Sequence, residues 1–267
     1  MATAFAEVAG TTFHYELAGD GPPVVLLHGG FLDLRQWDDL LPLLAERYRV
    51  LRFDARGHGR TPLGLVPYAR HEDARAMLEH AGIAAAHVIS LSAGTGAALD
   101  LALAYPERVL SLALGAAPLR GFDVAPEFGE GMRGIIAAGV AGDRELLHER
   151  VWAFECFRVA ASIPRARERL ERMVVEEHEF GYARPDAPPV SWHEPPAATV
   201  LDRIRVPTVV VVGEGEMPAL VEVADHVAAS IPRARKVVVP GAGHFVVLEQ
   251  PEAYARLIED WLAAQRE

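Results

Sequence analysis

The chain has 267 residues, 51% of them hydrophobic, and a formal net charge of −11 at pH 7. This length suits one large α/β domain, or one domain with an insertion, and provides enough apolar side chains for a sizeable core. The acidic balance, with no basic cluster, argues against nucleic acid or an anionic membrane surface as a partner. The single cysteine, Cys156, excludes an internal disulfide and suits a reducing cytoplasm.

The amino terminus has no basic region followed by an apolar stretch, so we expect no signal peptide, no membrane span and a cytoplasmic location. No group of cysteine and histidine residues has the spacing of metal ligands, and we therefore expect no metal. Cys156 is interpreted as a small buried apolar residue rather than a catalytic thiol. No feature of the sequence defines an oligomeric state.

Predicted strands and helices alternate over most of the chain. Residues 3–8 and 12–17 are joined at Gly10 and predict a hairpin. Further strands are predicted at 24–27, 50–53, 86–89, 109–114, 208–212 and 236–239. Helices are predicted between them and at the end of the chain, at 36–46, 68–80, 93–105, 219–229 and 252–264. This alternation predicts an α/β fold with a mainly parallel sheet that is covered by helices on both faces.

The segment VVLLHGGF at 24–31 is typical of a buried strand that runs into a glycine turn. Backbone amides just after such a turn can donate hydrogen bonds to an oxyanion, and each fixed donor is worth roughly 3–4 kcal/mol. We assign one oxyanion donor to the backbone N–H of Gly30. A plain turn between strand and loop is the alternative interpretation.

Residues 90–96, SLSAGTG, lie between a predicted strand and a predicted helix. A serine in the middle of such a strand–turn–helix is forced into a strained conformation with its hydroxyl pointing out of the fold. Ser92 is therefore the candidate nucleophile, and the backbone N–H of Ala93 is the second oxyanion donor. Small neighbours two residues away on either side are required, and here they are Ser90, where glycine is usual, and Gly94. The alternative is a serine that merely caps the next helix.

The alternation stops between residues 119 and 205, a distance far longer than a crossover connection needs. We predict a core domain formed by 1–118 and 206–267, and a helical cap inserted at 119–205. Helices are expected at 127–138, 143–158 and 163–178, the second capped by Asp143. Large apolar side chains of the insertion predict a largely apolar substrate pocket. The residues proposed to line it are Phe31, Trp152, Phe157 and Trp192.

Two further segments supply candidates for general base and acid. GAGHF at 241–245 places His244 between glycines on a loop after a strand, and the pKa of histidine suits a general base near neutrality. The run of four valines at 209–212 indicates a buried parallel strand. An acid just beyond its carboxyl end could accept a hydrogen bond from the histidine and hold its tautomer.

Together these segments resemble the α/β-hydrolase superfamily over nearly the whole chain. The matching motifs are HGG at 28–30, DARGHGR at 54–60, SLSAG at 90–94, YPERV at 105–109 and GHF at 243–245. The resemblance implies the α/β-hydrolase fold, with the insertion as a lid, and a triad of Ser92, His244 and an acid after the penultimate strand. The family usually has aspartate at that acid position, and this chain has Glu216. Glu214 is its competitor, followed by Asp123 and Asp225.

The sequence is most similar to the esterase and lactonase branch, such as enol-lactone hydrolases and small carboxylesterases. The resemblance implies a serine hydrolase that cleaves a small, largely apolar ester or lactone through an acyl-enzyme, without a cofactor. Serine at position 92 disfavours the dehalogenase and epoxide-hydrolase branches, which use a carboxylate nucleophile. Four alternatives remain open: a cofactor-free perhydrolase, a carbon–carbon bond hydrolase, a biosynthetic cyclase, and a ligand-binding or sensor protein that has lost turnover.

Overall fold

The computed structural model describes residues 3–265. Its strands are β1 (Thr3–Val8), β2 (Thr11–Ala18), β3 (Pro23–Leu27), β4 (Arg49–Phe53), β5 (Tyr68–Ala69), β6 (Ala86–Ser90), β7 (Val109–Gly115), β8 (Val190–Ser191), β9 (Thr208–Gly213) and β10 (Ala234–Val239). Its α-helices are α1 (Leu41–Ala45), α2 (Arg70–His80), α3 (Ala93–Ala104), α4 (Pro126–Ala141), α5 (Arg144–Ala153), α6 (Pro164–Leu170), α7 (Pro218–Ser230), α8 (Val246–Glu249) and α9 (Pro251–Ala263).

Eight strands form one sheet in the order β1-β2-β4-β3-β6-β7-β9-β10. The pairs β1–β2 and β2–β4 are antiparallel, and the remaining pairs are parallel. The predicted hairpin and the mainly parallel α/β sheet are therefore confirmed. Strand β3 lies between β4 and β6 and is almost wholly buried, as expected for a central parallel strand whose side chains are covered on both faces.

The sheet brings together chain segments that are far apart in sequence. Leu27, the last residue of β3, is in register with Ser90, the last residue of β6. Because the carboxyl ends of parallel strands meet at the same edge of a sheet, the turn after β3 lies beside the turn after β6. Ser90 also aligns with Leu114 of β7, and Gly115 of β7 with Val211 of β9. The loops that follow these strands therefore share one edge.

The predicted helices at 36–46, 68–80 and 163–178 differ from the structure. The segment 36–46 contains a 3₁₀ turn (Leu34–Trp37) and then the short helix α1, because Pro42 has no N–H to continue a helix and is accommodated only in the first turn of α1. Residues Tyr68–Ala69 form β5, which pairs with β8, so α2 begins at Arg70. In the third, at 163–178, α6 ends at Leu170 and continues as a π-helical turn (Glu171–Glu176).

Between β7 and β9 the chain forms a helical segment, residues 116–207, that contains α4, α5, α6 and several 3₁₀ turns. Asp143 caps α5 as predicted, and its side chain accepts a hydrogen bond from the Leu146 amide at 3.0 Å. The predicted helix over 143–158 is shorter in the structure, since α5 ends at Ala153 and a 3₁₀ turn follows. Within residues 3–265, no helix combines the length and the apolar composition needed to cross a bilayer.

Ion pairs connect this helical segment to the chain after β3. Arg165 and Arg169 of α6 both pair with Asp39, and Arg35 contacts Glu177 at 2.7 Å. Arg35 also binds Asp33, so one guanidinium joins the loop after β3 to the helical segment. These contacts hold the helical segment against the loops at the carboxyl edge of the sheet.

Candidate active site

Ser92 lies at a sharp turn between β6 and α3 and has φ 51° and ψ −119°. A positive φ is unfavourable for a residue with a side chain, and such strain in a fixed turn is common at functional sites. The turn is possible because Gly94 lies against the end of β3: a Cβ on Gly94 would be 2.3 Å from the carbonyl oxygen of Leu27. Strand and helix therefore approach closely only with glycine at this position.

Ser90 replaces the glycine that is usual at the other side of this turn. It is completely buried, and its hydroxyl lies 3.1 Å from the Thr95 hydroxyl. Thr95 donates in turn to the carbonyl oxygen of Gly115 at 2.8 Å, which leaves the Thr95 oxygen free to accept from Ser90. The extra hydroxyl of Ser90 is therefore satisfied, as a buried polar group requires.

His244 and Glu216 form a buried hydrogen-bonded pair. The imidazole Nδ1 of His244 donates to Oε2 of Glu216 at 2.8 Å, and Oε1 of Glu216 accepts from the Met217 amide at 2.8 Å. Burial alone favours the neutral imidazole, but the Glu216 carboxylate outweighs it and, together with Glu249, raises the pKa of His244 above its ordinary value. This arrangement orients the ring and leaves Nε2 available to exchange a proton.

The competing carboxylates contact other groups. Glu214 accepts a hydrogen bond from the Gly241 amide at 3.1 Å, and Asp225 pairs with Lys236. Asp123 is exposed on the loop that precedes α4. Of the four acids considered from the sequence, Glu216 is therefore the one that the structure brings to His244. The extra methylene of glutamate does not prevent the contact.

The loop that carries His244 is fixed on several sides. The Gly215 amide donates to the carbonyl oxygen of Ala242 at 2.8 Å. This hydrogen bond joins the His244 loop to the loop that carries Glu216. A Cβ on Gly243 would lie 2.8 Å from the Cβ of Val159, a residue of the helical segment. Glycine next to His244 thus allows the helical segment to pack directly on this loop.

Gly30 and Ala93, the two residues whose amides are assigned as oxyanion donors, lie close together. A Cβ on Gly30 would be 3.6 Å from the Cβ of Ala93. Ala93 is the first residue of α3, so its N–H has no acceptor within the helix and is free for a ligand. Gly30 therefore lies beside Ala93, the residue that follows Ser92.

His28 fixes the turn that carries Gly30. Its Nδ1 donates to the carbonyl oxygen of Gly29 at 2.7 Å, and its Nε2 accepts from the Ala55 amide at 2.8 Å. Burial lowers the pKa of His28, which keeps the ring neutral and suited to donate at one nitrogen and accept at the other. The motif at 54–60 therefore supports the turn structurally, as the sequence suggested.

A small cavity of about 90 Å³ joins these groups. Ser92, His244, Gly30 and Ala93 form one side of it, and the helical segment forms the other with apolar side chains: Phe128, Met132, Phe154 and Phe157. Phe31 lines it as predicted, and its backbone has φ 65°. Among the described residues that line the cavity there is no Asp, Glu, Lys or Arg.

Two predicted pocket residues lie elsewhere. The indole of Trp152 donates to Glu171 at 2.6 Å and is covered by the Arg167 guanidinium at 4.4 Å, so it packs within the helical segment. Trp192 is 42% exposed on the chain that returns to β9. Phe128, which lines the cavity, is not among the pocket residues predicted from the sequence. Its i, i+4 spacing with Met132 on α4 is the signal that could have indicated it.

Cys156 lies beside the His244–Glu216 pair. A ligand atom of each of these three residues lies within 4.8 Å of those of the other two, and all three residues are buried. Burial and the nearby Glu216 raise the pKa of the thiol, so it stays protonated. A protonated thiol and an imidazole nitrogen that already donates to Glu216 are poor metal ligands, which require deprotonated sulfur and free lone pairs. Cys156 thus acts as a small apolar side chain in the cavity wall.

A family model described as the alpha/beta hydrolase family matches residues 24–257. The chain belongs to this family. It is 27% identical over 264 residues to a 2-hydroxy-6-oxo-6-phenylhexa-2,4-dienoate hydrolase of Burkholderia cepacia, covering 94% of this chain and 91% of that protein. The family and this relative agree with a hydrolase.

Solved structures show the same fold. A thermophilic esterase from Thermogutta terrifontis superposes with a TM-score of 0.83 at 24% identity, covering 100% of both chains. The enol-lactonase of Burkholderia xenovorans LB400 superposes with a TM-score of 0.77 at 24% identity, covering 97% of this chain and 100% of the other. At these identities the likeness establishes the shared α/β-hydrolase fold.

Proposed function

We propose that this hydrolase cleaves a small, largely apolar carboxylic ester or lactone through a serine acyl-enzyme. The observation that carries the proposal is the convergence on one cavity of the strained Ser92, the Glu216-paired His244, and the residues Gly30 and Ala93 whose amides are assigned as oxyanion donors. A nucleophile, an oriented base and an anion-binding pair of amides are the groups that acyl transfer requires. The esterase and lactonase structures with this fold support the same chemistry.

In the first half-reaction, Nε2 of His244 removes the proton from the Ser92 hydroxyl as its oxygen attacks the carbonyl carbon. Glu216 accepts the hydrogen bond from Nδ1 and stabilises the imidazolium that forms. The negative charge that develops on the carbonyl oxygen is bound by the amides of Gly30 and Ala93. The imidazolium then protonates the departing alkoxide, which leaves as the alcohol and yields the acyl-enzyme.

In the second half-reaction, His244 removes a proton from a water molecule that attacks the acyl carbonyl. The oxyanion is held by the same two amides, and Ser92 recovers its proton from His244 as the carboxylic acid leaves. Each step uses side chains and amides of this chain, and the mechanism requires no cofactor.

We further propose that residues 119–205 act as a lid on a core formed by 1–118 and 206–267. Phe128, Met132, Phe154 and Phe157 cover Ser92 and His244 from this segment. A lid that excludes water strengthens the hydrogen bonds to the oxyanion and favours an apolar substrate.

A carbon–carbon bond hydrolase is the second candidate, since the relative from Burkholderia cepacia is named for cleavage of a dienoate. A dienoate carries a carboxylate, and the cavity of this chain offers no Lys or Arg to bind one among the described residues. An ionised group that enters a dry apolar site without a partner loses several kcal/mol of solvation, on the order of 3 or more. The lining of the cavity therefore favours neutral esters and lactones.

The first test is hydrolysis of p-nitrophenyl butyrate by the wild-type protein and by Ser92→Ala. We expect the rate of the variant to fall below about a hundredth of the wild-type rate, because triad members act as a unit. Circular dichroism should show an unchanged fold, and a fluorophosphonate should label the wild-type protein at Ser92 alone. Wild-type protein that neither hydrolyses esters nor reacts with the fluorophosphonate would instead be a ligand-binding member of the family.

The second test compares two substrates with the same leaving group and acyl length: p-nitrophenyl hexanoate and the mono-p-nitrophenyl ester of adipic acid. We expect kcat/KM for the charged ester to be lower on the order of a hundredfold, the rate equivalent of burying an unpaired carboxylate. Met132→Lys places a cation in the cavity wall and should narrow this ratio. Equal rates for the two esters would contradict the preference for neutral substrates.

A further inference from the structure

A buried carboxyl group that the proposed mechanism does not use lies next to His244. Glu249, the last residue of α8, is 4% exposed. Its Oε2 accepts a hydrogen bond from the Gly243 amide at 2.5 Å. Its other oxygen, Oε1, has no hydrogen-bond partner within residues 3–265. A carboxyl group with one unsatisfied oxygen is costly to bury, so its presence beside the proposed base calls for a physical reason.

Glu249 and His244 influence each other's ionisation. Burial and the nearby Glu216 raise the pKa of Glu249 to about 7, against the opposing effects of His244 and of the Gly243 and Phe245 amides. Glu249 in turn helps to raise the pKa of His244. Near neutral pH the Glu249 carboxyl is therefore partly ionised, at the pH where a general base of this type works.

The other titratable groups around this pair have partners of their own or stay neutral. On α6, Arg165 and Arg169 pair with Asp39, and Arg35 of the 3₁₀ turn pairs with Asp33 and Glu177. The buried face of α9 contributes one titratable residue, Tyr254, whose pKa is raised by burial. The charged residues of α9 lie outside that face: Glu252, Arg256, Glu259 and Asp260.

Cys156, which also lies beside His244, stays a neutral thiol. This leaves Glu216 and Glu249 as the carboxylates that act on His244.

Glu249 and Glu216 contact different parts of the loop that carries His244. Glu216 binds the imidazole directly, whereas Glu249 binds the backbone of the residue before His244. On its other side Gly243 lies against Val159, so the loop is held between the helical segment and Glu249. A hydrogen bond to the loop fixes the position of the ring, and a negative charge close to the ring favours its protonated form.

We infer that Glu249 is a positioning residue for His244: it holds the histidine loop through the Gly243 amide and, when ionised, stabilises the imidazolium. This inference rests on the proposed role of His244 as general base. Two groups that interact in this way titrate as a coupled pair. The first proton that binds on acidification, and that inhibits the enzyme, is therefore shared between His244 and Glu249. The acidic limb of the pH–rate profile is then set by Glu249 as well as by Glu216.

The test is the pH dependence of kcat/KM for p-nitrophenyl butyrate in the wild-type protein, Glu249→Gln and Glu249→Asp. Glu249→Gln keeps an acceptor for the Gly243 amide but removes the charge. The imidazolium loses a stabilising charge, so we expect the acidic limb to move to lower pH by about half a unit or more. Glu249→Asp keeps the charge, but its side chain is shorter by one methylene and places the carboxylate farther from the Gly243 amide. Its limb should stay near the wild-type position while its maximal rate falls.

Glu214→Gln is the matched control. Glu214 also accepts a hydrogen bond from an amide of this loop, that of Gly241, but its side chain is exposed. We expect its acidic limb to coincide with the wild-type limb. If Glu249→Gln leaves the limb in place, or if Gln and Asp move it equally, the charge of Glu249 plays no part and the inference is overturned.

A second measurement keeps the inference separate from the proposed function. The His244 imidazole can be titrated by ¹H–¹⁵N NMR in the wild-type protein and in Glu249→Gln, whether or not an ester is hydrolysed. We expect a lower midpoint in the variant, and an unchanged midpoint overturns the inference. Should Glu249→Gln not fold, the same comparison of midpoints is made with Glu249→Asp, in which retention of the charge predicts a wild-type midpoint. A lowered midpoint in protein without esterase activity would refute the proposed function alone.

Discussion

Single residues decide whether the histidine loop is organised for catalysis. Glu216 stands where the family usually has aspartate, and its carboxylate still reaches Nδ1 of His244 at 2.8 Å. The second oxygen of Glu216 is held by the Met217 amide, so the longer side chain is restrained at both oxygens. This double restraint offsets the additional rotational freedom that the extra methylene brings.

At this scale, Glu216→Gln tests the identity of the acid. The amide keeps the size of the side chain but removes the charge and allows the imidazole to settle in the wrong tautomer. An aspartate-to-asparagine change at a comparable position costs about 10⁴ in rate, so we expect kcat to fall several hundredfold or more. Stopped-flow or steady-state hydrolysis of p-nitrophenyl butyrate measures it.

Glu214→Gln is the control for this prediction as well. Glu214 is exposed and binds the loop at Gly241, three residues before His244. We expect its rate to stay within about tenfold of the wild-type rate, since a single exposed hydrogen bond contributes on the order of 1 kcal/mol. A mild Glu216→Gln together with a crippled Glu214→Gln would show that the acid is wrongly assigned.

At the scale of elements, the turn between β6 and α3 positions Ser92, the proposed nucleophile. It depends on the close approach of α3 to the end of β3, where Gly94 leaves no room for a side chain. Gly96, two residues further along the same helix, has no atom within 4 Å of the position that a Cβ would occupy. The two glycines therefore make a matched pair within one element.

Gly94→Ala should destabilise the protein and displace Ser92. The added methyl group meets the carbonyl oxygens of Leu27 and His28, both backbone atoms that cannot swing away. We expect the free energy of unfolding in urea to fall by about 1–3 kcal/mol, the usual cost of overpacking, together with the loss of esterase activity. Gly96→Ala should instead gain about 0.5–1 kcal/mol and keep its activity, because alanine is the better helix former. Equal stabilities for the two variants would refute the proposed close approach.

At the scale of the whole molecule, a cluster of buried histidines joins the helical segment to the loops of the sheet. The rings of His28 and His58 lie 5.3 Å apart, and His178 of the helical segment lies 5.1 Å from His58. His178 also packs edge-on against Phe31 beside the cavity, at 5.8 Å. Burial lowers the pKa of all three imidazoles, that of His178 to about 3. The packing of helical segment on sheet therefore requires neutral rings.

This requirement makes the stability of the molecule sensitive to acid. The pKa of His178 is about 3 in the folded state, against about 6.5 in the unfolded chain. The neutral His178 ring contributes fully to the free energy of unfolding at a pH above its pKa in the unfolded chain. As the pH falls from there towards the pKa in the folded state, this contribution is lost by up to about 1.4 kcal/mol per pH unit. The unfolded chain takes up the proton first, which draws the equilibrium towards unfolding.

His178→Gln should reduce this pH dependence. Urea unfolding at a series of pH values between 7 and 4 gives the free energy of unfolding for both proteins. We expect the slope against pH to be smaller in the variant by up to about 1.4 kcal/mol per unit, whatever its absolute stability. His148→Gln, at a histidine that is 48% exposed on α5, should keep the wild-type slope. Parallel curves for wild type and His178→Gln would contradict the neutral, buried state of His178.

Local signals in the sequence identified the positions of the main strands along the chain, the turn at Ser92, the glycine turn at Gly30 and the loop of His244. Each depends on a short stretch of chain whose backbone conformation follows from its own residues: a valine run for a buried strand, glycines for tight turns, and a small residue where strand meets helix. The helices at 36–46, 143–158 and 163–178 were predicted too long, since periodicity does not reveal where a turn changes its hydrogen-bond pattern.

The tertiary structure alone decided which side chains meet. The resemblance favoured Glu216 over Glu214, Asp123 and Asp225 as the acid, but only packing shows which carboxylate reaches His244. Apolar spacing could not distinguish Trp152, which faces Arg167 and Glu171, from Phe157, which faces the cavity. No role was predicted for Glu249 from the sequence, because its importance depends on burial beside the histidine loop. The sequence thus determined the local backbone, whereas contacts between residues distant in the chain depend on how the sheet register and the helical segment orient each side chain.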